Sequence, residues 1–135
     1  MKHHALLLTS LTAICLTLTS CETQQHLTTD LTGLTKITGV KEVTAQTYQH
    51  PDATQLNITV MLDTTDNPAE TQIRDMVTAI ANQQPEENLI QLTVTDENNT
   101  PFNIATQISK ICPENSYSFN PTSVTFQRIE NCLPL

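Results

Sequence analysis

The chain has 135 residues, with 6 Lys/Arg against 14 Asp/Glu and a formal net charge of −8. A balance this acidic, with no basic patch, argues against nucleic acid and anionic headgroups as partners. The only glycines are Gly33 and Gly39, so the body of the chain has no Gly-rich loop to cradle a phosphate, and P-loop and dinucleotide fingerprints are excluded.

Met1-Lys2-His3-His4 gives a short, positively charged start, and Ala5 to Leu18 is an apolar run diluted only by Thr, Ser and Cys15. That is the pattern of an export signal. As a helix the run would rise about 21 Å, short of the roughly 30 Å hydrocarbon core of a bilayer. Leu18-Thr19-Ser20-Cys21 closes it with an aliphatic residue, two small residues and a cysteine. This stretch resembles the lipobox of bacterial lipoproteins. The resemblance implies a signal peptide over 1–20, a lipidated Cys21 as the first mature residue, and a lipidated N-terminus and linker over 21–39. Glu22 after the cysteine implies, as in enteric lipoproteins, sorting to the outer membrane, with the protein anchored on its periplasmic face. Each buried methylene contributes about 0.8 kcal/mol, so the three acyl chains expected of such lipoproteins would hold it essentially permanently.

Beyond Cys21 the chain keeps five Lys/Arg and fourteen Asp/Glu, a net −9. Its length is that of one small domain with a modest core, placed over 40–135. His26 and His50 are the remaining histidines, and no cysteine pair has metal-ligand spacing, so neither a metal nor a cofactor is expected. With Cys15 in the signal and Cys21 on lipid, Cys112 and Cys132 are left in an oxidising compartment and are expected to pair. Their loop of about 20 residues corresponds to about 3 kcal/mol of chain-entropy stabilisation.

In chain order, Leu27, Leu31, Leu34 and Ile37 have helix-like spacing, but Thr and Gly33 weaken the helix. We read this stretch as a spacer ending in a short apolar segment. Val43 to Tyr48 reads as a strand, His50-Pro51-Asp52 as a turn, and Gln55 to Asp63 as the clearest strand. There Leu56, Ile58, Val60 and Leu62 face one way, with Asn57 and Thr59 opposite. Asn67-Pro68-Ala69-Glu70 reads as a helix start, with Asn67 as cap and Pro68 in the first turn. Ala69, Ile73, Met76, Val77, Ile80 and Ala81 form its apolar stripe, and Gln83-Gln84-Pro85 ends it. Leu89 to Thr95 is the next strand. Phe102 to Ile111 fits both periods: Phe102, Ile104, Thr106 and Ile108 alternate, while Ile104, Ala105, Ile108 and Ile111 suit a helix. The polar turn Asp96–Pro101 favours a hairpin. Asn120-Pro121 is a turn, and Ser123 to Ile129 a last strand.

These elements predict an α+β fold, a two-layer sandwich. A four- to five-stranded, mainly antiparallel sheet would carry one main helix on its apolar face and show Thr, Gln and Asn to water on the other. No nucleophile–base–acid set stands out. Ser109, Ser116, Ser118 and Ser123 have no histidine near in sequence, and Asp63 and Asp66 before a helix suit capping and solubility. The expectation is a protein that is not an enzyme.

Five strands spaced about 4.8 Å apart make a face roughly 19–24 Å wide, and one helix spans about 10 Å. Something besides the main helix must cover it: Leu27–Ile37, Phe102–Ile111 as a helix, or a helix of another protein. The run of strand, strand, helix, strand and hairpin before Cys112, with patterns such as Leu92-Thr93-Val94-Thr95-Asp96, resembles the β-sheet class of type II secretion pilotins. Those are small outer-membrane lipoproteins with one disulfide. The chain departs from them in pairing Cys112 with a cysteine of a C-terminal extension. The resemblance implies a binding and assembly factor that grips an amphipathic helix of a secretin. The residues expected to touch that helix are Ile58, Val60, Leu62, Ile73, Val77, Ile80, Ile90 and Leu92. The alternative is an inhibitor, immunity or exclusion lipoprotein acting through its acidic surface. A closed core would favour the alternative.

Overall fold

A computed structural model of the protein describes residues 30–132. The export signal, the lipobox with Cys21, and Leu27 lie outside the described residues. The elements are α1 (Thr32–Thr35), β1 (Val40–His50), β2 (Ala53–Leu62), α2 (Glu70–Asn82), β3 (Leu89–Thr95), α3 (Ala105–Ser109), β4 (Tyr117–Asn120) and β5 (Ser123–Phe126). Single 3-10 turns lie at Glu114–Ser116 and Ile129–Asn131.

One five-stranded sheet has the order β1-β2-β3-β5-β4. The β1–β2, β3–β5 and β4–β5 pairs are antiparallel, and β2–β3 is parallel. The predicted α+β sandwich is therefore the fold found. The parallel pair follows from the order strand–helix–strand, because α2 carries the chain from the end of β2 back to the start of β3. Alternation in β2 sends Leu56, Ile58, Val60 and Leu62 to the helix layer, each at most 1% exposed. Ile73, Met76, Val77, Ile80 and Ala81 of α2 meet them, all buried. Fully burying a side chain of this size contributes roughly 1.5–3 kcal/mol.

Four local readings need correction. Phe102–Ile111 does not form a hairpin strand. Beyond an isolated bridge between Thr95 and Pro101 the chain turns into α3. The edge of β3 that a hairpin would use is taken by β5, with Ile90 opposite Phe126. Released from the sheet, the segment follows its other period: Ile104, Ile108 and Ile111 are 1%, 0% and 6% exposed. The Asn103 Oδ1 accepts the Ala105 N–H at 3.0 Å and starts the turn.

Second, α2 begins at Glu70, with Ala69 as an extended N-cap that makes no side-chain bond. Asn67 does not cap it, and Ala69 is exposed. Pro68 is buried, and its carbonyl accepts the Gln107 Nε2 at 2.7 Å instead of joining the helix. Third, the last strand stops at Phe126, and an unforeseen strand, Tyr117–Asn120, precedes it. The turn between them is built by Asn120, whose Oδ1 accepts the N–H groups of Thr122 at 3.0 Å and Ser123 at 2.9 Å.

Fourth, the residues before Val40 are not only a spacer. Leu34 of α1 is 1% exposed and belongs to the core. Asp30 holds the start of this short helix by accepting the Thr32 N–H at 2.9 Å and the Thr32 hydroxyl at 2.8 Å. The backbone bond first, and then the hydroxyl, keep the Asp30 carboxyl below its ordinary pKa. The Cys112–Cys132 bond is present as expected. It ties the segment after α3 to the turn at Ile129–Asn131.

Candidate functional site

The eight residues expected to hold a partner helix are brought together, but in the interior. Ile58, Val60 and Leu62 of β2, Ile73, Val77 and Ile80 of α2, and Ile90 and Leu92 of β3 are all 3% exposed or less. The inner face of β5 is equally closed, with Val124 at 0% and Phe126 at 1%. α2 does not cover the five-stranded face alone, and the chain itself supplies the rest of the cover. α1 packs on α2 and β1, and α3 and the Ile129–Asn131 turn pack on α2. Leu34, Ile104, Ile108 and Ile129 are the side chains these pieces insert. A partner helix could reach the face only by displacing one of them.

The other face of the sheet is open to solvent and is built differently. Thr44, Thr59 and Thr93 stand in one cross-strand row, and Gln46, Asn57, Gln91 and Thr125 in the next. The Gln55 Nε2 donates to Asn57 Oδ1 at 2.6 Å and to Gln91 Oε1 at 3.0 Å, and the Gln91 Nε2 donates to Ser123 Oγ at 2.8 Å. The Tyr48 hydroxyl donates to Gln46 Oε1. Strands β2 to β5 contain no charged residue. Five carboxylates lie at one end of the sheet: Asp63 and Asp66 follow β2, Asp96 and Glu97 follow β3, and Glu42 stands beside Met61. All but Asp96 are exposed.

The β1 side carries the remaining feature. β1 pairs with β2 alone among the described strands, so its other edge has no strand partner there. Val43 and Ala45 on its inner face are half-buried, and with Leu31, Thr32 and Thr35 they line a shallow depression of about 220 Å³. That Val43 to Tyr48 forms a strand was legible in the sequence. That this strand ends the sheet was not.

No catalytic pair forms among the serines, His50 and the two aspartates singled out. The His50 Nε2 lies 3.3 Å from Gln55 Oε1. Ser116 is fully buried with its hydroxyl on the Pro113 carbonyl at 2.7 Å, and Ser109 donates to the Thr106 carbonyl at 2.8 Å. Ser123 bonds Asn120 and Gln91. Asp66 donates its N–H to Thr64 Oγ1 at 3.0 Å, as a turn residue does. A cleft of about 640 Å³ opens where α2 ends, lined by residues that include Glu87, Asn88, Phe126, Arg128 and Glu130. One Glu87 carboxylate oxygen is buried there without a hydrogen-bond partner. The cleft can hold a polar group, but it has no Ser, Cys, His or Lys to act as nucleophile.

Compared with protein families, with characterised proteins and with solved structures, the chain has no significant match.

Proposed function

We propose that the protein is a lipid-anchored, non-enzymatic binding protein of the bacterial envelope, held on the periplasmic face of the outer membrane through Cys21. It acts on a protein partner through its exterior, as an inhibitor or exclusion lipoprotein would. One observation carries the choice: the eight apolar residues that a helix-gripping factor would need are at most 3% exposed. The pilotin-like assembly role would require α1 or α3 to swing away, losing the burial of Leu34 or of Ile104 and Ile108. Each such side chain contributes roughly 1.5–3 kcal/mol to the closed form.

The anchor is supported by the export pattern and by Leu18-Thr19-Ser20-Cys21. The partner's chemistry follows from charge. With a net −9 beyond Cys21 and exposed Glu42, Asp63, Asp66 and Glu97 at one end of the sheet, a basic protein surface is favoured. Association would weaken with salt, since exposed charges are screened beyond roughly 8–10 Å at physiological ionic strength.

The experiment is in-membrane cross-linking and capture of the lipidated chain, compared with a variant carrying Asp63→Lys, Asp66→Lys and Glu97→Lys. The expected result is a partner captured by the parent chain at low salt, weakened at high salt and lost from the charge-reversed variant. Capture that ignores those charges, but is blocked when a disulfide pins α1 to α2, would return the helix-gripping role to first place.

A further inference from the structure

We propose that the outer edge of β1, which has no strand partner among the described residues, binds β1 of a second copy of this chain, antiparallel, about a two-fold axis passing through Gln46. β1 is eleven residues long, whereas β4 at the opposite edge has four and runs into Pro121. Proteins usually block an exposed edge with charge, proline, a bulge or a short strand. β1 has its bulge at the start, between Val40 and Glu42, and its charges at Lys41 and Glu42. From Val43 to Gln49 it has no charge, no proline and no glycine. The long edge is therefore left able to pair over its middle.

The register follows from side chains. Directly opposed residues of an antiparallel pair share a face of the sheet. Placing Gln46 opposite itself puts Glu42 opposite His50 and Thr44 opposite Tyr48 on the polar face. It puts the small Ala45 opposite Thr47 on the inner face. The strand's one carboxylate then meets its one imidazole, twice in each dimer. The Gln46 amides face each other, each offering donors and an acceptor. Sliding the pair so that Ala45 is self-opposed sets Glu42 against Tyr48 and His50 against Val40, and the imidazole then faces an apolar side chain.

Charge distribution also permits contact between copies along this edge. Two chains of net −9 repel, but their carboxylates sit mainly in loops and on α2, away from the middle of β1. The axis stands normal to the joined ten-strand sheet, so both helix layers lie on one side of it. Leu31, at the start of the described chain, lines the same depression as Val43 and Ala45, near that axis. Both chains then enter from the same side, as two tethers to one membrane require. This last point rests on the anchored reading above, and the register argument does not.

The test uses single cysteines in the full, lipidated chain in its own membrane, read by non-reducing electrophoresis and peptide mapping. Q46C should give a disulfide-linked species of twice the monomer mass. T44C and Y48C should each stay monomeric alone and cross-link when co-expressed, because Thr44 faces Tyr48 of the other copy. Q46K sets two ammonium groups face to face at an exposed position and should weaken association at least tenfold by sedimentation in detergent. The proposal is overturned if Q46C stays monomeric with Cys112–Cys132 intact. It is also overturned if T44C alone links as well as Q46C, or if Q46C links to a different protein. The mass of the Cys21 peptide is read on the same samples, so failure of the tether and failure of the pairing are separate results.

Discussion

Gln107 of α3 and Pro68 before α2 are joined by a buried hydrogen bond, the Gln107 Nε2 donating to the Pro68 carbonyl at 2.7 Å across 39 residues of chain. It locks the small helix that covers this side of the core to the entry of the main one. Gln107→Met keeps the volume and leaves the Pro68 carbonyl without its donor. The expected loss is about 1–3 kcal/mol in urea unfolding. No change in the midpoint would mean that α3 is not fixed by this bond.

The two glycines should respond in opposite ways. Gly39 has φ +93°, and a Cβ there would lie 2.8 Å from the Gln72 Nε2, which donates to the Thr38 carbonyl at 2.9 Å. Gly39→Ala is expected to cost about 1–2 kcal/mol from the backbone alone. Gly33 is helical, and its Cβ would meet Ala79 at an ordinary 3.5 Å. Gly33→Ala should therefore be neutral or stabilise by about 0.4–1 kcal/mol. Thermal melts of the two variants side by side decide the matter.

Leu34 reports whether α1 belongs to the folded body. At 1% exposure, its truncation to Ala leaves a cavity, and Leu→Ala in a core costs about 2–5 kcal/mol. Hydrogen exchange should show protection of the β1 amides falling in the same variant. A Leu34→Ala protein as stable as the parent would make α1 a loosely attached linker after all.

The Cys112–Cys132 bond closes a separation of 20 residues. Replacing both cysteines with Ser should lower stability by about 2–4 kcal/mol. Non-reducing peptide mapping of the parent should give one cross-linked pair, and alkylation of two thiols in the native protein would contradict it.

Lipidation at Cys21 is read by mass spectrometry of membrane-extracted protein. The expected product is an acylated peptide beginning at Cys21. An unmodified mature N-terminus, or recovery of the whole population in the soluble fraction, would remove the anchor.

The sequence by itself determined the parts whose patterns admit one period. Leu56, Ile58, Val60 and Leu62 alternate and can only be a half-buried strand. Ile73, Met76, Val77 and Ile80 recur with the helical period, and Cys112 had one available partner. What tertiary structure decided are the segments whose local pattern was ambiguous or weak. Phe102–Ile111 satisfies both periods, and it became a helix because β5 had taken the β3 edge that a hairpin needs. Leu31–Ile37 is a weak helix former, and α1 is held by the burial of Leu34 rather than by propensity. The closed apolar face is the consequence for function. Whether Ile58, Val77 and Leu92 meet a partner or their own chain depends on which distant segments pack onto them. That is a competition among contacts far apart in sequence, and no local pattern encodes it.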